Sequence, residues 1–574
     1  MPKEWESFGL GSIIFISFAM MRNIIPLHNM EFFILLCIVF ITATTLAYLI
    51  INKRATRANS TIGKIYSVTA IVLLSIWIIL FYINETNTEH SLNKSELIRH
   101  YFPFPLWAAL MILGVLICLF LLRKETNEKA LNLRRKIRIA SAFLFTLGTS
   151  IQFYAPNIFR DIQGGTYHSH AYTNSIINVC WLIPYSKNME SLYGHYGILY
   201  MPILKFMHKC FHVDYLTGIF ILSAILAGIS ILIFLYILNY FAKNDLIFYL
   251  SMFAIGEYYF MLMQGGVYLQ VHPHRMIFPI LFTALALYEQ KTGKKKTILA
   301  ICFLTLSFVW STEVGIVTTL SFALYRWIQN AMDGKSFSVQ KLLFLLQKIL
   351  IYTVIPFALS YVIISSYNLL AGGSILNFRE FMFPLISDRD YINNIELPLP
   401  DITHAWIGSA ILFLGAICPS VFQLLFPKPK YQPVNPLYFL IGIMGLGLML
   451  YYINRPAEGS LFIIIFLMLL LQSVILQKSQ NIYLEWKTEK SSLFAQPNLF
   501  TLLSLRIITT TILFIMAFDS VYSMPKAWKT SSETIWKKDD LMEFAEYVWA
   551  QVPPDAISFG EGVPELMALI DRDC

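Results

Sequence analysis

Apolar residues occur along this chain in blocks of about 15 to 28, and short polar stretches separate the blocks. A helix rises about 1.5 Å per residue, so roughly 20 apolar residues are enough to cross a bilayer core of about 30 Å. The pattern therefore predicts about fifteen membrane-spanning helices. Their predicted positions are residues 8–21, 31–51, 65–83, 102–122, 139–154, 214–241, 245–263, 276–289, 297–310, 314–328, 349–366, 405–426, 436–453, 460–477 and 503–521.

The composition of the 574 residues agrees with this prediction. Apolar residues make up 57% of the chain, aromatic residues 15% and charged residues only 14%, whereas about 25% of the residues in a typical soluble protein are charged. A water-soluble enzyme is therefore excluded. The predicted fold class is an all-α polytopic membrane protein with about 13 to 15 transmembrane helices.

The formal net charge of +8 is explained by membrane orientation better than by nucleic-acid binding. If the N-terminus is cytoplasmic, the cytoplasmic segments carry 27 of the 43 Lys and Arg residues, the outer loops carry 11 and the C-terminal tail carries 5. Basic residues concentrate in the cytoplasmic loops of membrane proteins. We therefore expect a multi-pass protein of the cell membrane with a cytoplasmic N-terminus, an extracytoplasmic C-terminus and no nucleic-acid partner.

The largest predicted outer loop covers residues 154–213. Two segments of this loop, 172–183 and 193–209, have apolar faces but are too short or too polar to span a membrane. The second places aromatic and aliphatic residues at three-to-four spacing opposite Lys205 and Lys209, which is typical of a helix lying on a membrane surface. We therefore predict two amphipathic surface helices here and expect the chemistry of the protein in the outer loops.

The C-terminal tail, residues 522–574, has an amphipathic pattern followed by an extended one. This pattern predicts a small extracytoplasmic α/β segment with the order helix, strand, helix. A segment of about 50 residues is barely large enough to form its own hydrophobic core. The tail is therefore expected either to pack on the membrane part or to be incomplete.

Asp161 follows a predicted span by a few residues and stands next to Arg160 and a Gly-Gly pair. A carboxylate in this position can act as a general base when its pKa is tuned, and the alternative is a solvated loop aspartate. Glu31, at the edge of the first outer loop, is the competing acid, although no paired surface helices follow it. His168 and His170 either assist Asp161 or form a metal site with it, so a divalent cation stays open.

Two arginines occupy matching positions at the outer ends of predicted spans. Arg275 follows His272 and His274 and directly precedes a span, and Arg455 directly follows one. A guanidinium at this depth can bind a lipid phosphate through two parallel hydrogen bonds. It equally suits an anchor in the headgroup layer, so both interpretations remain.

Glu313 lies in the sequence from Trp310 to Gly315, between two short apolar segments. The spacing predicts a turn at the outer rim with a carboxylate at its tip. Acidic residues at membrane depth are costly and are candidates for function. Glu257, which is predicted inside a span beside two tyrosines, meets the same criterion, but we favour a structural role for it.

The order of these features resembles the GT-C superfamily of membrane glycosyltransferases: a span, an acid just outside it, two surface helices in the same loop, and a long series of further spans. The resemblance covers roughly residues 139–477 and implies a catalytic membrane core at 139–521, preceded by additional transmembrane helices at 1–138. The segments that resemble bacterial members using polyprenyl-phosphate sugars are 161–172, 184–197, 272–279, 310–315 and 454–455.

The resemblance implies transfer of a sugar from a polyprenyl-phosphate donor to an extracytoplasmic acceptor, namely a cell-envelope glycan, a glycolipid or a protein. Asp161 is implied as the catalytic base, with inversion at the anomeric carbon and no certain cofactor. The implied ligands of the donor phosphate are Arg275, Arg455, His272 and His274. The implied contacts of the acceptor or the sugar are His168, His170, Tyr172, His195 and Glu313.

Two other functions compete with this one. A polysaccharide polymerase or ligase shares the lipid-linked donor but lengthens or relocates a glycan. A transporter or flippase of lipid-linked sugars suits fifteen spans, an interrupted helix near residues 310–315 and the intramembrane Glu257. We find no internal repeat in the sequence, and the titratable residues gather in the outer loops. Both observations favour the transferase over the transporter.

Overall fold

Helices account for about 85% of the residues that the computed structural model describes, and no strand occurs among these residues. This is the expected result for a chain whose backbone polar groups must find partners inside an apolar layer. Besides a few isolated positions, the described stretches are 2–22, 27–53, 128–150, 167–185, 191–256, 269–332, 338–385, 405–426, 434–454, 458–489 and 509–524.

We number the described helices in chain order. A π-helical turn, Leu350–Val354, lies within α11, and a 3₁₀ helix, Glu458–Ile464, leads into α15. The helices are α1 (Pro2–Ala19), α2 (Asn29–Lys53), α3 (Glu128–Ser150), α4 (Tyr167–Cys180), α5 (Gly197–Phe211), α6 (Tyr215–Phe241), α7 (Asp245–Ala254), α8 (Ile277–Thr292), α9 (Thr297–Trp310), α10 (Thr312–Ala331), α11 (Val339–Leu370), α12 (Phe378–Phe381), α13 (Ala405–Leu425), α14 (Pro436–Asn454), α15 (Ile465–Glu489) and α16 (Thr509–Met524).

Within the described stretches, six helical segments are long and apolar enough to cross a membrane. They belong to α2, α6, α11, α13, α14 and α15. The described part of the chain is therefore all-α, and the chain is a multi-pass membrane protein. Two predicted spans, 65–83 and 102–122, lie outside the described residues, as does almost all of the tail 522–574, and the other thirteen predicted spans each overlap a helix.

Helix α11 begins ten residues before the predicted span 349–366. The polar residues of this extension hydrogen-bond to the preceding helix, which explains why the helix extends through them. The Lys341 amine donates to the Ala331 carbonyl over 2.6 Å, and the Trp327 indole donates to the Lys341 carbonyl over 2.8 Å. The beginning of α11 is thereby fixed to the end of α10.

Helix α4 differs from the surface helix that the sequence predicted over 172–183. It spans Tyr167–Cys180, and most of its side chains from Tyr172 onwards are buried against α5 and α6. Its polar residues tolerate burial because they bond to the helix itself, as when the Ser175 hydroxyl donates to the Tyr172 carbonyl over 3.1 Å. Helix α5 does keep an exposed apolar face, with Ile203 and Phe206 at its surface.

Most of the described helices contribute to one large hydrophobic core, and two smaller hydrophobic clusters accompany it. The α1–α2 hairpin packs against α13 and α14, helix α6 packs against α3, α8 and α15, and α10 packs against α9, α11 and α14. Glu289, in the last turn of α8, accepts a hydrogen bond from the Lys296 backbone N–H before α9 and also pairs with Arg326 far along α10. Helices α9 and α10 therefore run antiparallel as a hairpin beside α8.

The two ends of the α8–α10 bundle carry different residues. We define the site end by residues 191–196, 269–276 and 310–313, which lie where α8 and α10 begin and α9 ends. We define the basic end by residues 241–245 and 289–296, which lie where α6 and α8 end and α9 begins. Among the predicted functional residues at the site end are His274 and Arg275, just before α8, and Glu313, in α10.

Candidate functional site

A one-residue break between α9 and α10 forms the first part of the site. Helix α9 ends at Trp310, Ser311 is extended with φ −152° and ψ 119°, and α10 begins at Thr312. Glu313 is therefore in the first turn of α10, where the positive end of the helix dipole stabilises a carboxylate. The turn that the sequence predicted at this position is confirmed, and it joins two antiparallel helices.

The connection between α4 and α5 packs directly on the end of α9. The His195 backbone N–H donates to the Val309 carbonyl over 3.0 Å. Gly194 has φ +131°, and a Cβ at this position would lie 2.3 Å from the Trp310 carbonyl oxygen. Only glycine allows both this conformation and this approach, so Gly194 is what brings residues 193–196 to the site.

Four aromatic rings and His274 form a continuous series of ring contacts, which we call the aromatic cluster. The ring of Tyr172 stacks on Tyr196 at 4.5 Å between centroids, and Tyr196 meets the edge of His274 at 4.7 Å. His274 stacks on Trp310 at 5.3 Å, and Trp310 stacks on Tyr200 at 5.5 Å. The Trp310 indole also donates to the His274 carbonyl over 2.7 Å. The cluster thereby joins α4, α5, α9 and the turn before α8.

Arg275 lies next to the aromatic cluster in a fixed position. Its Nε and Nη2 donate to the Glu313 carboxylate over 3.2 and 3.1 Å, and its Nη1 donates to the Gln270 carbonyl over 2.8 Å. The guanidinium is 4.1 Å from the ring centroid of Tyr451 and 5.3 Å from that of Tyr193, which is within the range of cation–π attraction. The result is a preorganised cation held by a carboxylate and two rings.

The exposure of this ion pair is uneven. The Arg275 side chain is 2% exposed, whereas that of Glu313 is 19% exposed. A residue that anchors a protein in the headgroup layer must reach the lipid with its charge, so burial does not fit the anchor interpretation of Arg275. A ligand that approaches from solvent reaches the carboxylate of Glu313 first and the guanidinium behind it.

Two other predicted histidines, His195 and His272, are buried among different side chains. His195 is buried with its Nε2 3.1 Å from the Phe381 carbonyl oxygen and its ring against Tyr185 at 4.7 Å. His272 is buried with its Nε2 2.5 Å from the Ser230 hydroxyl, towards α6. Both side chains are therefore engaged within the protein, and their described contacts differ from those of His274.

Burial determines the protonation of these histidines. It lowers the pKa of His272 and His274 from 6.5 to about 3 and that of His195 to about 4, because a buried imidazolium loses its hydration. The positive charge of Arg275 lowers the pKa of His274 further. All three imidazoles are neutral near pH 7. The Nε2–H of neutral His274 donates to the Tyr193 carbonyl over 2.8 Å, and His272 is engaged with Ser230, so neither imidazole brings a positive charge to the site.

The remaining predicted residues are placed only in part. Asp161, in the connection between α3 and α4, and Arg455, directly after α14, lie outside the described residues. His168 belongs to the first turn of α4, but its side chain is not among those described, whereas the side chain of His170 is buried on the same helix. The structure thus brings together Tyr172, His274, Arg275 and Glu313.

Sequence reasoning missed the aromatic partners of Arg275 and His274. Tyr193, Tyr196 and Trp310 were visible as aromatic residues of the predicted outer segments, and Tyr451 precedes Arg455 by four residues. Nothing in their spacing shows that they pack together, because they come from separate segments of the chain. The glycine before His195 was the strongest available signal of a close backbone approach.

Among the residues that the structure describes, no group of three or more His, Cys, Asp or Glu side chains has a geometry suited to a metal ion. The metal site suggested for Asp161, His168 and His170 depends on two side chains that are not among those described. The side chains that surround Arg275 are aromatic or already engaged with it. The described part of the site is therefore a guanidinium that is paired with a carboxylate and lies against two aromatic rings.

No protein-family model matches the chain, and no curated protein matches its sequence significantly.

Proposed function

We propose that this chain is an integral-membrane glycosyltransferase that moves a sugar from a polyprenyl-phosphate donor to an extracytoplasmic acceptor. The observation that carries the proposal is the Arg275–Glu313 pair, a buried guanidinium clamped by rings whose carboxylate partner reaches solvent. A donor phosphate attached to a lipid must be met near the membrane by a fixed cation. Arg275 supplies such a cation at the site end of the helix bundle. In the proposed function, this end faces the extracytoplasmic side.

Arg275 binds the donor phosphate in this mechanism. Glu313 keeps the guanidinium aligned before the donor arrives, and the phosphate then competes with the carboxylate for its N–H groups. As the bond between the sugar and the phosphate breaks, negative charge grows on the phosphate oxygen. A preorganised cation stabilises such a transition state by about 3 to 4 kcal/mol. Arg455, which follows Asn454 at the end of α14, supplies a second cation.

Asp161 acts as the general base. It takes the proton from the acceptor hydroxyl, and the hydroxyl oxygen attacks the anomeric carbon on the face opposite the phosphate. The bond from the anomeric carbon to the phosphate oxygen breaks, and its electron pair leaves with the lipid phosphate. The configuration at the anomeric carbon is inverted, and the proton on Asp161 is lost to solvent afterwards.

In this mechanism, the other predicted residues either contact a substrate or support the structure of the site. His168 and His170 in the first turn of α4, together with the partly exposed Glu313, contact the acceptor or the sugar. Tyr172 is fully buried and belongs to the aromatic cluster, so it acts by fixing α4 relative to Arg275. His195 is buried against α12 and supports the connection before α5 in the same way.

The proposal is tested with the purified full-length protein in nanodiscs, radiolabelled polyprenyl-phosphate sugar and cell-envelope extract. We expect the label to move from the lipid to an acceptor in the extract. A transporter would leave the label on the lipid, and a polymerase would give a ladder of products instead of a single addition. The Asp161→Asn variant should lose transfer and keep the unfolding midpoint of the wild type, and retained transfer would remove Asp161 from the mechanism.

A further inference from the structure

Two lysines at the basic end share one tyrosine ring. The Nζ of Lys243 is 5.2 Å from the ring centroid of Tyr240, and the Nζ of Lys291 is 4.6 Å from the same centroid. Lys291 is also 4.7 Å from the ring centroid of Tyr236 and donates to the Tyr236 hydroxyl over 3.3 Å. The ammonium groups of Lys243 and Lys291 therefore lie against a pair of tyrosines in the last turns of α6.

A third lysine–tyrosine pair adjoins these two. The Nζ of Lys478 in α15 is 4.4 Å from the ring centroid of Tyr438 in α14. Tyr438 packs against Phe241 at the end of α6, with 6.0 Å between ring centroids. Gln477 accepts the backbone N–H of Lys243 over 2.8 Å. Helices α6, α8, α14 and α15 thus bring three lysines to one region of the basic end.

Two acidic side chains at this end already have arginine partners. Asp245 lies 2.5 Å from Arg138, and Glu289 lies 2.6 Å from Arg326. Among the described residues, neither Lys243 nor Lys291 forms an ion pair. Partial burial lowers the pKa of Lys243, and the charges of Lys291 and Arg138 lower it further. The pair of lysines is therefore short of negative charge.

The location of the pair favours a ligand that is anchored in the membrane. Helix α6 is apolar enough to span the bilayer, and Tyr236, in its penultimate turn, is 47% exposed. Tyrosine at the end of a membrane helix sits at the depth of the headgroups, and lysine beside it attracts anionic lipids. Lys294, Lys295 and Lys296 are exposed in the connection that follows α8 and strengthen this attraction.

We propose that Lys243 and Lys291, together with the rings of Tyr236 and Tyr240, bind the phosphate headgroup of an anionic phospholipid in the leaflet at the basic end. Lys478 and Tyr438 extend the site along α14 and α15. The site lies at the opposite end of α8 from Arg275, and it does not depend on the proposed transferase activity. The chemistry that the site recognises is a phosphate anion, and a membrane lipid supplies it.

The test is native mass spectrometry of the purified full-length protein in a neutral detergent, with added phosphatidylglycerol or with phosphatidylcholine of the same chain length. We expect the wild type to retain phosphatidylglycerol preferentially. Each lysine near a lipid phosphate changes affinity by about fivefold, so the double variant Lys243→Gln/Lys291→Gln should weaken phosphatidylglycerol binding by roughly 20- to 30-fold and leave phosphatidylcholine binding unchanged.

The matched control is Lys294→Gln/Lys295→Gln, which removes the same charge from exposed positions at the same end. Lys243 and Lys291 contact the tyrosine rings, whereas Lys294 and Lys295 contribute only a general attraction that salt screens, so binding in the control should stay within about threefold of the wild type. Equal losses in the two double variants, or no loss in Lys243→Gln/Lys291→Gln, would overturn the proposal.

Two further measurements test the charge of the site and the source of its phosphate. The variant Lys243→Arg/Lys291→Arg keeps both charges, so it should bind phosphatidylglycerol as the wild type does, and loss of binding in this folded variant would contradict the site. Inorganic phosphate in large excess should leave the lipid bound. Complete displacement of phosphatidylglycerol by inorganic phosphate would assign the site to a soluble anion and refute the lipid.

Discussion

Two ion pairs connect the α8 region with α10, one at each end, and their polarity is reversed. At the site end the cation, Arg275, precedes α8 and the acid, Glu313, belongs to α10. At the basic end the acid, Glu289, belongs to α8 and the cation, Arg326, to α10. Both arginine side chains are 2% exposed, but Glu313 is 19% exposed and Glu289 only 3%.

This difference in exposure separates a structural pair from a pair that can serve a ligand. The carboxylate of Glu289 is held by Arg326 and by the backbone N–H of Lys296, inside the protein. Removing one partner of such a pair leaves a buried charge without compensation. The carboxylate of Glu313 meets solvent, and in the proposed mechanism the donor phosphate replaces it on Arg275.

The largest effect is expected from Arg326→Met. It leaves Glu289 buried without its cation, which costs about 3 to 5 kcal/mol for a buried pair, and the unfolding midpoint in neutral detergent should fall accordingly. The double variant Arg326→Met/Glu289→Met removes both charges and should recover most of this loss. A single variant as stable as the wild type would contradict the structural role of the basic-end pair.

The next effect is a loss of stability in acid that arises at the site end and its neighbourhood. The pKa of His272 falls from 6.5 in the unfolded chain to about 3 in the folded protein. Below pH 6.5 this residue is therefore mostly protonated in the unfolded state and neutral in the folded state. Stability should therefore decrease as the pH falls from 7 towards 3, by roughly 2 kcal/mol per buried histidine at pH 5.

Unfolding midpoints measured between pH 7 and pH 5 check this expectation. The variant His272→Gln cannot take up the proton, so its midpoint should depend less steeply on pH than that of the wild type. His274 and His195 contribute in the same direction, because burial lowers their pKa as well. If the unfolding midpoints of the variant and the wild type depend on pH in the same way, His272 is not buried in its neutral form.

A smaller loss of stability is expected from Glu313→Gln. The amide keeps a hydrogen bond to Arg275, and the Gln270 carbonyl and the rings of Tyr193 and Tyr451 still hold the guanidinium, so we expect a loss of about 1.5 kcal/mol. The destabilisation should therefore be well below that of Arg326→Met. Because the donor phosphate then meets no competing carboxylate, the apparent KM for the donor should decrease. A rise of this KM would contradict the role given to Glu313.

The smallest effect concerns the ring under Arg275. Tyr451→Leu removes the aromatic face that lies 4.1 Å from the guanidinium, at a cost of about 0.5 to 2 kcal/mol for a cation–π contact. Tyr451→Phe keeps the face and should leave the unfolding midpoint nearly unchanged. If the phenylalanine variant is as unstable as the leucine variant, the hydroxyl and not the ring face supports Arg275.

The lengths of the apolar blocks were enough to predict the helices that lie in lipid or in the core. The predicted span 297–310 coincides with α9, and 405–426 and 436–453 differ from α13 and α14 by one residue. The errors concern helix ends, as at α11, and burial by tertiary partners, as at α4. Helix α4 has the polarity of a surface helix and is nevertheless enclosed, because α5 and α6 cover it. The pattern of apolar and polar residues within one helix does not show whether other helices will cover that helix.

The residue types of the site were predictable, but their partners were not. Arg275, His274 and Glu313 stood out in the sequence because polar residues at membrane depth are costly. Their sequence separation hid the fact that Arg275 and Glu313 bind each other. The protonation of His274 was also hidden, since it depends on burial beneath Tyr196 and Trp310. The roles of Asp161 and Arg455 remain predictions from the sequence.

The most direct test of the proposed phosphate site is the donor dependence of sugar transfer by Arg275→Ala. Loss of a guanidinium that stabilises the leaving phosphate should lower kcat/KM for the polyprenyl-phosphate donor by about 10² to 10³, with the KM for the acceptor unchanged. The exposed arginine of α12, changed in Arg379→Ala, is the matched control and should behave as the wild type. A donor kcat/KM in Arg275→Ala equal to that of this control would contradict the account.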